Sequence, residues 1–456
     1  MAVWSTVKLS ALGGAFRLDP EFWRPEYVRV ERAIKRLPHK KIGDISHSLR
    51  KGVFNILAES YVEEGVPFYR SSNVGAIVPK SADLVYISEQ RHAEEQKTAL
   101  KRGDIMLAKT GKEAASVVLV QECNVSQDVV ALRPDRTQVN PFYLAVFLNT
   151  EPGILQMRRW FQGQVQMHLS LPDTREILVP LPDPKHQSAV ESLVVESEAM
   201  ESSAHIAIAA AETHLMEALG MDHLDLAPEK CYIRRFRDLH AGNRFGAEYY
   251  MPCKKRVLDA LAKLPHRTIA DHAPAIREMW DPTRASEEEW VRNFDITDAL
   301  EPFIDDAAEP QSAAEIGSTK KRFRAGDVVI SRLRSYLKEI AVVRTSDALP
   351  AVGSSEFIVL RPTGHGLSAE TLMVFLRCPL VQTILQWSQD GSNHPRFAEE
   401  DLLAVPVPDA ALRVQKKIDA LVQEATDARR GAARLLEQAK RTVEDMIAGE
   451  ASGDEK

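Results

Sequence analysis

The side chains best suited to chemistry in this sequence lie in short polar runs, and the runs come in two sets. The first half holds Tyr69-Arg70-Ser71-Ser72-Asn73, Lys109-Thr110-Gly111-Lys112 and Gln162-Gly163-Gln164-Val165-Gln166-Met167-His168. The second holds Arg332-Leu333-Arg334-Ser335-Tyr336-Leu337-Lys338 and Ser388-Gln389-Asp390-Gly391-Ser392-Asn393-His394, with Arg396 just beyond. Arginine pairs bidentately with guanine edges, and asparagine or glutamine with adenine edges. Lysine and serine more often hold phosphates, which sets register without selecting sequence. The candidate DNA-contacting residues are therefore Arg70, Ser71, Asn73, Lys109, Thr110, Lys112, Gln164, Gln166 and His168, then Arg332, Arg334, Ser335, Tyr336, Lys338, Asn393, His394 and Arg396. Any one of these stretches alone reads as an ordinary surface loop.

Catalytic signatures are missing. There is no Gly-x-x-x-x-Gly-Lys-Ser/Thr loop to cradle a triphosphate and no Gly-x-Gly-x-x-Gly after a strand. His-Glu-x-x-His and Gly-x-Ser-x-Gly are also absent. Asn140-Pro141-Phe142-Tyr143 superficially resembles an amino-methyltransferase motif but lacks its second proline, and reads better as a capped helix start. Pro182-Asp183-Pro184-Lys185 has a proline where a nuclease core needs its second carboxylate. His39 and His266 each follow Leu-Pro and read as helix-exit caps. Four scattered cysteines without CxxC spacing argue against zinc. The expectation is a chain with no catalytic residue, no metal ligand and no cofactor of its own.

The chain of 456 residues carries a formal net charge of −7, awkward for a phosphate binder unless cations are gathered locally. They are. Lys97, Lys101, Arg102, Lys109 and Lys112 crowd one stretch, and Lys320, Lys321, Arg322, Arg324, Arg332, Arg334 and Lys338 the matching one. No apolar run is long enough to span a bilayer, and Met1–Thr6 lacks a signal-peptide pattern. A cytoplasmic protein is expected.

The elements that must position these runs are duplicated too. Arg17, Glu21, Phe22, Pro25 and Leu37-Pro38-His39 return as Arg244, Glu248, Tyr249, Pro252 and Leu264-Pro265-His266, all displaced by 227 positions. Gly103-Asp104 recurs as Gly326-Asp327, Leu132-Arg133-Pro134 as Leu360-Arg361-Pro362, Phe147-Leu148 as Phe375-Leu376, and Val179-Pro180 as Val405-Pro406. Such a repeat is a whole domain, and its pseudo-twofold symmetry implies a symmetric partner. Each half predicts a short amphipathic helix ended by Leu-Pro, several strands, a helix and a proline-rich strap. A long helix then follows, about Gln187–Leu219 stopped by Gly220 and about Leu412–Ile447 stopped by Gly449. Ile418, Leu421, Ala425, Ala428, Ala432, Leu435 and Ala439 form a heptad-like seam, with Val443 and Met446 beyond. The α/β (α+β) reading is two tandem pseudo-twofold domains, 1–184 and 244–410, with long helices 185–220 and 411–449 pairing as an antiparallel coiled coil. A linker, 221–243, and a disordered acidic tail, 450–456, complete it.

Three strings carry a resemblance. Leu100-Lys101-Arg102-Gly103-Asp104-Ile105-Met106-Leu107 followed by Lys109-Thr110-Gly111 resembles the strand start of specificity (S) subunits of type I restriction-modification systems. Gly163-x-x-Gln166-x-x-Leu169 and Gly391-Ser392-Asn393-His394-x-x-Phe397 resemble the family's loop signature. The stretches Leu49–Gln96 and Ile276–Lys320 share almost nothing, as two domains reading different sequences would require. The resemblance implies a non-catalytic subunit that reads a bipartite asymmetric site in double-stranded DNA. It also implies two methyltransferase (M) subunits that bind S-adenosylmethionine and carry the active sites, with two restriction (R) subunits in complexes that have them. A divergent DNA-modifying enzyme and a coiled-coil adaptor of another phage-defence complex are the competing readings.

Overall fold

The computed structural model describes residues 17–452 except 55, 57, 82, 163–167, 236–245, 287 and 347. The chain divides into two compact units, residues 1–201 with 430–456, and residues 202–429. Each contains one globular lobe and a half of both long helices.

The first lobe opens with the helix Pro25–Lys35, whose buried Tyr27 and Ile34 face inward. The chain leaves it through Leu37-Pro38, and the His39 ring Nδ1 hydrogen-bonds the Leu37 carbonyl at 2.7 Å. Strand His39–Lys41 pairs antiparallel with the strap Leu178–Pro180. A four-stranded antiparallel sheet follows, in the order Ser46–Lys51, Val129–Pro134, Ile105–Ala108, Ala115–Val117. A second sheet places Val66–Tyr69 parallel to Glu122–Val125, with Leu100–Lys101 antiparallel on the other side. The helix Pro141–Leu148 is apolar all round and every residue of it is buried, the pattern of a helix inside a core. Its Tyr143 hydroxyl donates to the Pro180 carbonyl at 2.8 Å, so a polar atom is satisfied there.

The second lobe repeats this plan. Pro252–Lys263 leads through Leu264-Pro265 to His266, whose Nδ1 lies 2.8 Å from the Leu264 carbonyl. Strand His266–Thr268 pairs with the strap Pro406–Pro408. The main sheet runs Ala275–Ile276, Phe357–Leu360, Val328–Ser331, Ile340–Arg344 and then Phe303–Asp305, which is parallel to its neighbour. Among the described residues the first lobe has only a single parallel bridge, Ile77 to Ser116, in that last place. The second sheet again holds one parallel pair, Trp290–Phe294 beside Ala351–Gly353, with Lys320–Phe323 antiparallel beyond. The two divergent sequence stretches thus supply equivalent strands, because fit to a pleated, partly buried surface, not residue identity, is what a strand needs.

The repeated Gly-Asp and Leu-Arg-Pro motifs meet in space. Asp104 caps its own turn by accepting from the Lys101 N–H at 2.9 Å, and the Arg133 Nε donates to it at 3.2 Å. Asp327 accepts from the Arg324 N–H at 2.8 Å and from two Arg361 nitrogens at 2.7 and 2.9 Å. Both carboxylates are almost fully buried, so each arginine is the counter-charge that makes burial tolerable.

The first long helix spans Pro184–Leu219 and the second Asp409–Ser452. Their halves pair antiparallel within each unit. In one, Val190 and Val194 share a core with Ala439, Val443 and Ile447, while Met200 faces Gly431. In the other, Ala204 and Ala207 meet Ala425, and Ala211, Leu215 and Leu219 share a core with Ile418 and Val422. The buried line is Ile418, Val422, Ala425, Ala432, Ala439, Val443 and Ile447; Leu421, Ala428 and Leu435, read as seam residues from the sequence, are only half-buried. Gly220 stops its helix at φ 64°, with the following Met221 buried against the core. Gly449 does not stop the second, contrary to expectation, and the helix continues to Ser452. A glycine stop is locked by an apolar residue docking back just after it, and Glu450-Ala451-Ser452 offers no apolar side chain larger than a methyl. The rest of the expected tail lies outside the described residues. No helix among the described residues is long and apolar enough to cross a membrane.

Candidate nucleic-acid interface

In each lobe the hairpin loop of the main sheet and the loop before the strap are joined by backbone hydrogen bonds. In the first lobe Thr110 bridges His168, and the Leu169 N–H donates to the Lys109 carbonyl at 2.9 Å. In the second, Leu333 bridges Arg396, the Arg334 N–H donates to the Pro395 carbonyl at 2.9 Å, and Phe397 N–H donates to Arg332 O at 3.2 Å. The two polar runs that the sequence keeps 50 positions apart therefore form one surface per lobe. Asn393 and His394 sit exposed on it; Gln164 and Gln166 lie outside the described residues.

The second lobe's surface is organised by an acid that sequence reading missed. Glu356 receives Arg396 in a fork, with Nη2 at 2.7 Å, and the Arg332 Nε at 3.0 Å. These bonds from Arg396, and then Arg332, hold the Glu356 carboxyl below the usual range against the opposing effect of burial. One carboxylate against two guanidiniums leaves a net positive charge, with both arginines about half exposed. The equivalent acid in the first lobe is Asp128, which influences Lys109 and whose carbonyl accepts the Lys109 N–H at 2.9 Å. The two sets are Lys109, Asp128 and His168, and Arg332, Glu356 and Arg396. The only clue in the sequence was Asp128 and Glu356 sharing the 228-residue displacement of neighbouring motifs.

The first lobe's cations repel one another. Burial, and then the Lys51 charge, push the Lys109 ammonium down; burial, and then Lys80, do the same to Lys112. Lys51 and Lys80 lie in the divergent stretch and carried no motif. Such a like-charge cluster gains energy when an anion arrives.

Other expected contacts serve the scaffold. Asn73 is buried, and its Oδ1 accepts the Arg70 N–H at 3.0 Å to close the turn Ser71–Asn73. Arg70 itself is held by Asp83 at 2.7 Å, leaving Ser71 half-buried beside it. Ser335 is buried beneath its loop. Asn73 and Ser335 thus shape the surface from within and cannot reach a base edge as placed. The basic runs divide likewise: Arg102 is forked onto Glu198 of the first long helix at 2.7 and 2.5 Å, and Arg324 binds both oxygens of Glu278 at 3.0 Å.

Each lobe is also locked to the long helix that follows it. The Asn140 N–H donates to Gln187 Oε1 at 2.8 Å and its side-chain amide to Glu191 at 2.6 Å. The Ser368 N–H donates to Gln415 Oε1 at 3.0 Å and its hydroxyl to Asp419 at 2.6 Å. Asn140 and Ser368 are N-caps of equivalent helices, so one residue both caps the helix and fastens it. A recess of about 500 Å³ lies beside the first lock and one of about 410 Å³ beside the second.

No family model and no curated protein matches the chain. Among solved structures, the chain is similar to the type I restriction-modification S subunit from M. genitalium, at 13% identity and TM-score 0.40, over 92% of this chain and 96% of that one. The HsdS subunit from Thermoanaerobacter tengcongensis matches at 14% identity and TM-score 0.28, over 90% and 96%. A chain from a structure of the type I R-M system, concerning its assembly and conformational transition, matches at 14% identity and TM-score 0.29, over 92% and 99%.

Proposed function

We propose that this chain is the non-catalytic DNA-recognition subunit of a type I restriction-modification system. One observation carries the reading: a single lobe plan occurs twice, with cation–acid clusters at equivalent places but built from different side chains. Two readers of one design and unlike chemistry suit a site with two unlike halves. The locks at Asn140 and Ser368 support a second part of the reading, in which the antiparallel helices set the unread gap. A lobe that turned freely on its helix could not transmit a spacing. S-adenosylmethionine and the methyl-transfer site belong, in this reading, to two methyltransferase subunits received at the pseudo-symmetric helix faces, with restriction subunits added in complexes that have them.

The test is to bind the purified full chain to a random duplex pool while titrating salt. Specific binding gives a selected two-part motif and a steep linear fall of log affinity with log salt. A chain that retains no duplex at low salt refutes the proposal. Methylation of DNA by this chain and S-adenosylmethionine without a partner refutes its non-catalytic part.

A further inference from the structure

The two hairpin loops differ in length. In the first lobe, residues 109–114 join Ile105–Ala108 to Ala115–Val117; in the second, 332–339 join Val328–Ser331 to Ile340–Arg344. The displacement between halves rises across this loop from 223, between Ile105 and Val328, to 225, between Val117 and Val342. Two residues have been inserted. They build a turn of 3₁₀ helix, Ser335–Leu337, that the first lobe lacks, and at its apex Tyr336 is 58% exposed.

The turn is held at some cost. Arg334 at φ 49° and Lys338 at φ 53° flank it in the left-handed region, where the first lobe uses Gly111 at φ 78°. Residues with a side chain rarely adopt that conformation, and such outliers gather at functional sites. The turn is also packed from below: Ser335 and Leu333 are buried, and the Arg334 N–H is anchored to Pro395. A large ring is therefore presented outward on a fixed platform between two cations, with little freedom left to lose on binding.

We infer that Tyr336 is a specificity-determining residue unique to the second lobe, packing its ring on the apolar surface of a base while Arg334 and Lys338 hold flanking phosphates. This rests on the DNA-recognition reading above. The base surface could be a thymine methyl in the major groove or the face of an unstacked base.

The experiment selects random duplexes with the wild-type full chain, Tyr336→Ala and Tyr336→Phe. Tyr336→Ala should lose preference at one or two base pairs of one half-motif, roughly tenfold, with the other half unchanged; Tyr336→Phe should match wild type. On the wild-type consensus, uracil for thymine should weaken wild type and leave Tyr336→Ala indifferent if the contact is a methyl. A 2-aminopurine probe should brighten with wild type and not with Tyr336→Ala if the base is unstacked. Motifs that Tyr336→Ala leaves unchanged, weakens equally in both halves, or shares as a defect with Tyr336→Phe overturn the inference, as does indifference of wild type to both probes. Failure of wild type to select any motif instead overturns the DNA-recognition reading itself.

Discussion

The two lobes solve one problem with different materials. In the first, Lys109 and Lys112 face other lysines and the hairpin turns at a glycine. In the second, Arg332 and Arg396 share Glu356 and the hairpin carries an aromatic-tipped turn. Lysine is a mobile point charge, whereas a guanidinium held by an acid has a fixed plane for reading a base edge. The difference teaches that a duplicated scaffold can keep its buried clamps and change its outward chemistry. Asp104–Arg133 and Asp327–Arg361 recur in the two copies, where losing the arginine alone would leave a buried carboxylate without its counter-charge.

The largest effect should come from changing the relation between the lobes. Inserting four residues at facing positions, after Met200 and after Gly431, lengthens the paired helices by about 6 Å, close to two base-pair steps of about 3.4 Å each. Binding selections should then return the same half-motifs with a longer gap; an unchanged gap would contradict the spacer role. Next comes the clamp. Arg361→Ala should cost about 3 kcal/mol, because Asp327 is left buried and charged. Arg133→Ala should cost less, since Arg133 is more exposed than Arg361 and reaches a single oxygen of Asp104 at 3.2 Å, where Arg361 grips both oxygens of Asp327 at 2.7 and 2.9 Å. Denaturant melts of the two variants check the order, and equal losses would break the comparison.

Arg332→Ala should relax one half-motif only, by about 1–2 kcal/mol in discrimination, as read by competition between duplexes altered in each half. Uniform loss over all sequences would mark Arg332 as a phosphate contact. The smallest effect concerns Glu339, buried beneath the second lobe's longer loop, where burial pushes its carboxyl up, partly offset by Ser331 and Arg334. A carboxyl raised in the folded state destabilises once the unfolded chain can ionise it, so the cost is absent in acid and grows as pH rises through the carboxylate range. Glu339→Gln should add about 1 kcal/mol at pH 7 and nothing in acid, as measured by unfolding at both.

Much of this protein was legible in one dimension. The repeated Leu-Pro-His, Gly-Asp and Leu-Arg-Pro motifs specified two equivalent lobes, because helix exits, tight turns and buried ion pairs depend on residue type at short range. Continuous apolar strands and alanine-rich helical runs likewise announced their elements through local periodicity. Only the tertiary structure decided which polar side chains face outward. It turned Asn73 and Ser335 inward, gathered Lys51 and Lys80 toward Lys109 and Lys112, and put Glu356 between two arginines 64 positions apart. Periodicity carries the direction of a side chain within an element, but a loop has no period. The neighbours of its side chains are set by whichever distant segment packs against it.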